Sequence, residues 1–113
     1  MLKRIYRLSK QKDFENIFKN GAFFSGPKLS LRIRKNNLSF SRFAVVAGLK
    51  ISKKAVERNR LRRQIWEILR TNINGIKKGF DIVIITKISL LNQKYRQIES
   101  EISGIFKKAG IYG

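Results

Sequence analysis

KISKKAVERNRLRRQIWEILR, residues 50–70, crowds cationic side chains onto a segment that keeps a helical apolar pattern. Leu61, Ile65, Ile68 and Leu69 stand at i, i+4, i+7 and i+8, on one side of a helix. At about 100° per residue, Asn59, Arg62, Arg63, Trp66 and Arg70 fall on a neighbouring face, while Arg60 points elsewhere beside Gln64 and Glu67. One helix therefore offers a core face and a cationic face, with an amide and an indole inside the cationic one. Most charge runs are merely solvated helix surfaces. Here Arg dominates, few acids balance it, and Asn59 sits between two Arg. The planar Arg fork donates two parallel charged hydrogen bonds, which suits it to phosphate.

The 113 residues set the expectation of a single domain spanning 1–113, with 42% hydrophobic residues to fill one modest core. Lys plus Arg number 26 against 7 Asp plus Glu, a formal charge of +19. Self-repulsion at that charge disfavours the compact state, and a polyanionic partner relieves it. Nucleic acid is the first candidate. A membrane surface is the second, but no apolar run approaches the roughly 18 residues of a spanning helix. The charge is uneven: residues 1–70 hold 19 basic and 4 acidic groups, residues 71–113 hold 7 and 3. The binding surface is expected mainly from the first part.

Cys and His are both absent. That removes disulfides, thiolate metal sites, the commonest general base and the commonest metal ligand. Residues 1–8 are basic without a following apolar segment, so a cytoplasmic protein is expected.

In chain order, a basic arm (Lys3, Arg4 and Arg7 among Ile5 and Tyr6) leads to Ser9, placed to cap a helix from Lys10. Phe14, Ile17 and Phe18 form its apolar stripe, with the two Phe open to a second role as stacking platforms for bases. Gly21 is placed as its C-terminal stop. Residues 21–27 read as a loop. Leu29, Leu31 and Ile33 alternate with Ser30, Arg32 and Arg34, a strand whose outward face carries two Arg. Residues 40–51 read as one long strand or two with a bend, with small residues on one face where another element packs. Phe43, Val45, Ala47, Leu49 and Ile51 share the other face. Gly48 marks an expected close backbone approach, and Ser52 is placed as cap of the basic helix, which is expected to end near Asn74 and Gly75. Residues 80–86, apolar on both faces, read as an interior strand parallel to the one before the helix. A last helix over about residues 91–109 presents Tyr95, Ile98, Ile102, Ile105, Phe106 and Ala109 inward. Residues 110–113 are expected to fray.

The seven acids are scattered, and no glycine-rich phosphate loop is present. Asp81 is expected to be structural. The residues alone describe a nucleic-acid binder with no catalytic residue of its own.

The run Gly48-Leu49-Lys50-Ile51-Ser52-Lys53-Lys54 followed by Ala55-Val56-Glu57-Arg58-Asn59-Arg60-Leu61-Arg62-Arg63 resembles the signature of the bacterial ribonuclease P protein component. Residues 10–21, with paired Phe and closing Gly, are similar to that family's first helix. The resemblance implies an α+β fold: a single-domain α-β-β-β-α-β-α sandwich with a four-stranded mixed sheet. Such a fold is similar to the second domain of a small-subunit ribosomal protein, with a left-handed crossover. It implies a protein that binds a catalytic RNA and the 5′ leader of precursor tRNA, one protein per RNA, with magnesium ions held by the RNA and no cofactor held by the protein. Carried over by residue, Lys53, Lys54, Arg58, Asn59, Arg60, Arg62 and Arg63 face the catalytic RNA. Phe14, Phe18, Arg32 and Arg34 line a leader cleft between the first helix and the sheet. The chain departs from the pattern twice. Lys53-Lys54 runs straight into Ala55-Val56, where the family usually has a few more residues including a Gly. A cleft position often aromatic in the family is Arg32. Two other classes remain: a ribosomal or RNA-packaging protein, which fits the charge equally well, and a free-standing metal nuclease, which the missing His and scattered acids disfavour.

Overall fold

The computed structural model describes residues 3–48 and 50–112. Its elements are α1 (Gln11–Asn20), β1 (Ala22–Ser25), β2 (Leu29–Lys35), β3 (Arg42–Val46), α2 (Ala55–Thr71), β4 (Phe80–Thr86) and α3 (Tyr95–Lys108). The order is the α-β-β-β-α-β-α order implied by the resemblance. The sheet runs β1-β2-β4-β3, with β4 antiparallel to β2 and parallel to β3. That interior place explains why residues 80–86 are apolar on both faces.

Period 2 sorts the sheet into two faces. Leu29, Leu31 and Ile33 join Ile82, Ile84 and Phe43 against Leu61, Ile65, Ile68 and Leu69 of α2 and Ile98, Ile102, Ile105 and Phe106 of α3. The other face carries α1, where Ile17 is fully buried with Leu8, Ala44 and Val83. The small residue expected to admit a neighbour is Ala44, and α1 is that neighbour. Two turns lead into strands: Asn37, between β2 and β3, adopts φ 60° and Gly79, just before β4, φ 90°, the left-handed region that Asn and Gly tolerate.

Several local expectations are corrected. Residues 22–25 are not loop but the edge strand β1, paired to β2 from Ala22↔Ile33 to Ser25↔Ser30. Ser9 does not cap α1, whose N-cap is Lys10 without a side-chain bond. Gly21 does not turn left-handed, since its φ is −81°. It is needed because a Cβ there would press into the Ile17 carbonyl oxygen and lie 2.8 Å from that of Ile33.

The strand expected over 40–51 stops at Val46. Its last carbonyls are taken by side chains: Thr86 Oγ1 donates to Val46 O (2.8 Å) and Arg62 to Ala47 O (2.8 Å). A Cβ on Gly48 would meet nothing within 4 Å, so no close approach explains it, and Leu49 lies outside the described residues. Helix α2 ends at Thr71, because the Asn72 amide donates to Ile68 O (2.8 Å) and a single turn, Ile73–Gly75, follows. Helix α3 begins only at Tyr95, after the turn Ile88–Leu90 and a left-handed Asn92. The C-terminus is tied down through Tyr112: Ile111 is buried, Lys77 N donates to its carbonyl (2.7 Å), and Tyr112 Oη donates to Asn72 Oδ1 (2.9 Å).

Candidate nucleic-acid interface

Ser52 was expected to cap α2 but stands two residues before the N-cap, Lys54. It organises the approach instead: its Oγ accepts from Lys54 N (3.1 Å) and donates to Glu57 Oε1 (2.6 Å). Its carbonyl accepts from the Arg58 guanidinium (2.8 Å). The direct run from Lys54 into Ala55 thus leaves Lys53 and Lys54 exposed at the mouth of the helix, where the Lys54 carbonyl accepts from Arg58 N (3.2 Å).

Along α2, Asn59, Arg60 and Arg63 are exposed, and Arg58 and Arg62 are half-buried. Arg62 is held by two neutral acceptors, Ala47 O and the Asn59 side-chain oxygen. These bonds orient the guanidinium without cancelling its charge. Among the described residues the ion pairs are Arg42–Asp13, Arg42–Asp81 and Arg70–Glu67, none on residues 58–63. Val56, Asn59, Arg62, Arg63 and Trp66 line an open concavity of about 460 Å³. Arg60 points to the other side, toward Gln64, as helical spacing requires.

Two members of the expected cationic face behave differently. Trp66 is buried in the main core, with the Arg7 guanidinium 5.4 Å from its ring centre. Its indole is covered by core and Arg7, and what remains open lines the concavity. Arg70 binds Glu67, and this hydrogen bond holds Glu67 below the ordinary carboxylate range and raises Arg70.

On the opposite layer, Arg32 lies between two exposed rings, 5.1 Å from the centre of Phe18 and 4.9 Å from that of Phe23. Cation–π attraction holds this triplet as a ledge at the edge of α1. The sheet row beside it runs Ser25, Ser30, Ile85 and Val46 in register, with Val46 exposed and Ile85 half-buried. Of the four expected cleft residues, Phe18 and Arg32 come together. Phe14 packs mainly on the small cluster under α1. Arg34 is exposed one step further along β2, opposite Asp81 in register. Phe23 was missed because residues 21–27 read as loop, and the only signal was its adjacency to Phe24.

The acids serve structure. Asp81, buried, accepts from Arg42 Nε (2.8 Å) and Nη2 (2.7 Å) and from Asn36 (2.9 Å). The Asp81 hydrogen bonds raise the Arg42 pKa. Asp13 accepts from the same Arg42 (3.2 Å), which ties α1 to β3 and β4. Among the described residues no cluster of three acidic side chains could hold a metal ion, and no helix is long and apolar enough to cross a membrane.

Fold and surfaces together define a basic α+β protein with acid-free arginines at 58–63 of α2 on one side and an aromatic–Arg ledge on the other, both suited to a polyanion. A family model described as Ribonuclease P matches residues 2–110. The Ribonuclease P protein component of Clostridium botulinum (strain Langeland) is 36% identical over 107 residues, covering 94% of this chain and 96% of the relative. That of Fusobacterium nucleatum is 35% identical over 108 residues, covering 92% and 96%. The structure of the RNase P protein from Thermotoga maritima in complex with 1-(4-fluorophenyl)-2-thiourea superposes with a TM-score of 0.84 at 34% identity, covering 90% of this chain and 98% of the other. The Staphylococcus aureus RNase P protein reaches 0.87 at 24% identity, covering 96% and 98%, a likeness of fold. The chain belongs to the ribonuclease P protein component family. As such it is a subunit of a ribonuclease P holoenzyme, an endoribonuclease.

Proposed function

We propose that this chain docks on the catalytic RNA of ribonuclease P through α2 and holds the 5′ leader of precursor tRNA on the α1 ledge, assisting its removal. The carrying observation is that Arg58, Arg60, Arg62 and Arg63 have no acidic partner among the described residues, while neutral acceptors aim two of them. Charge left unneutralised at fixed positions is what phosphate contact and counterion release use. Lys53 and Lys54 extend that surface at the helix mouth. Phe18, Arg32 and the added Phe23 supply stacking and charge for a single strand, with Phe14 behind them and Arg34 beside them. Hydrolysis and the magnesium ions belong to the RNA, one protein serves one RNA, and the complex works in the cytoplasm with no membrane role.

The test is cleavage of precursor tRNA by the cognate RNA at low magnesium, with and without the protein. The expected outcome is faster cleavage and tighter substrate binding with protein, and no cleavage by protein freed of RNA. Unchanged cleavage overturns the proposal. A crosslink from the 5′ leader to Phe18 or Phe23 supports the ledge, whereas sedimentation with ribosomal subunits instead points to a ribosomal role.

A further inference from the structure

The basic N-terminal arm touches the α2 surface through Arg7 and helps to build a third surface through Tyr6. Tyr6 and Phe40 meet edge to face, their centres 5.8 Å apart and their planes at 87°. With Ser39, Ile73, Asn74 and Lys78 they line a cavity of about 280 Å³ at the foot of β3. The size suits one nucleotide better than a large cofactor. Its wall is aromatic and aliphatic, and no acid lines it. Ser41, also in the wall, is committed: its Oγ donates to Lys77 O (2.7 Å) and accepts from Phe80 N (3.0 Å), which fixes the floor. The rim groups Ser39, Asn74 and Lys78 are exposed, and their side chains have no internal partner among the described residues. A ring wall, an amide and a hydroxyl free to read a base edge, and an ammonium free for phosphate are the components of single-strand recognition.

The arm links the cavity to the α2 surface, although the two share no lining residue. Arg7 follows Tyr6, bridges to Phe43 on the outer edge of β3 and lies over Trp66, which lines the α2 concavity. A strand leaving that concavity along the arm reaches Tyr6 next. We infer that this cavity takes one unstacked nucleotide of the catalytic RNA, its base against Tyr6 and Phe40, its edge on Asn74 and Ser39, its phosphate on Lys78. The inference rests on the proposed docking of that RNA on α2.

The chain has no Cys, so a single introduced thiol is addressable. Full-length Asn74→Cys and, as a reference on α2, Val56→Cys are labelled with a benzophenone maleimide and bound to the transcribed cognate ribonuclease P RNA. Both are expected to crosslink, and the Asn74 site to map by reverse-transcription stops to an unpaired nucleotide. Crosslinking from Val56 alone, or an Asn74 crosslink to a duplex or only to precursor tRNA, overturns the inference while docking on α2 stands. Failure of both probes, with no binding, overturns both. Independently, Asn74→Ala with Lys78→Gln is expected to weaken binding of the same RNA about tenfold at unchanged Tm. Unchanged affinity overturns the inference.

Discussion

Helix α2 and the α1 ledge both display arginine on a basic protein, yet they hold it by opposite means. On α2, Arg58 and Arg62 are steered by carbonyl and amide oxygens, which leave the full charge facing outward. On the α1 side, Arg32 is sandwiched by Phe18 and Phe23, and Arg42 is consumed by Asp13 and Asp81. The first arrangement suits a rigid, densely charged partner. The second leaves rings and one shielded cation, which suits a mobile strand whose bases can stack. The packing beneath differs in the same sense. Helix α2 rests on the large core shared with α3, while α1 rests on Leu8, Ile17, Ala44 and Val83.

That difference in foundation is tested first. Ile65→Ala, at a fully buried site in the large core, is expected to cost about 4 kcal/mol. Ile17→Ala is equally buried, but under a single helix free to settle onto the sheet, and is expected to cost about 2 kcal/mol. Urea unfolding of both variants measures the gap, and equal losses would erase the distinction between the layers. Asp81→Asn is expected to cost about 2 kcal/mol, because it removes the buried carboxylate that accepts twice from Arg42 and leaves that guanidinium only Asp13. The pH sign follows from the raised Arg42 pKa. Its stabilisation is complete below the ordinary arginine range and is lost only as pH rises through a still higher value. Arg42 itself therefore adds no pH dependence near neutrality.

How much of this was legible in the sequence depends on whether a residue's role follows from its own spacing. Leu61, Ile65, Ile68 and Leu69 declared the core face of α2 because helical period and burial coincide. The polar residues between them declared the cationic face for the same reason. The burial of Trp66 was not legible, since Arg7, far away in sequence, covers its ring. β1 was hidden because Phe23 and Phe24 are adjacent, so period 2 cannot show which points outward. With Phe23 unplaced, the partner of Arg32 was unreadable. The end of β3 differs from the local pattern because side chains from distant segments, Arg62 and Thr86, take its carbonyls, and the end of α2 because the neighbouring Asn72 amide takes the Ile68 carbonyl. Recognition of the family supplied the three-strand order that the residues had not.

Gly21 lets the end of α1 pass close to β2, because the carbonyl oxygens of Ile17 and Ile33 both close on the space a Cβ would fill. Gly21→Ala is expected to cost about 1–3 kcal/mol through overpacking and to disturb the ledge more than α2. The check is leader crosslinking reduced at unchanged affinity for the catalytic RNA. On α2, Arg63→Ala is expected to leave stability within about 0.5 kcal/mol and to flatten the salt dependence of RNA binding by about 0.7–0.9 per lost phosphate contact. Arg62→Ala should do the same and also lower stability, since Ala47 O loses its donor.

The smallest stability effect carries the sharpest contrast. Phe18 and Phe23 are about half exposed, at 45% and 53%, so truncating either to Ala removes little core. Unfolding should shift by less than about 1 kcal/mol, and affinity for the catalytic RNA with its salt slope should not move. Leader binding should weaken by about 1–3 kcal/mol per lost stacking platform. Arg32→Gln separates the two ways of holding an arginine. If the ledge works through its rings, Gln keeps much of the leader affinity and changes its salt slope. If Arg32 is mainly a phosphate contact, as the arginines of α2 are proposed to be, affinity and slope fall together as they do for Arg63→Ala.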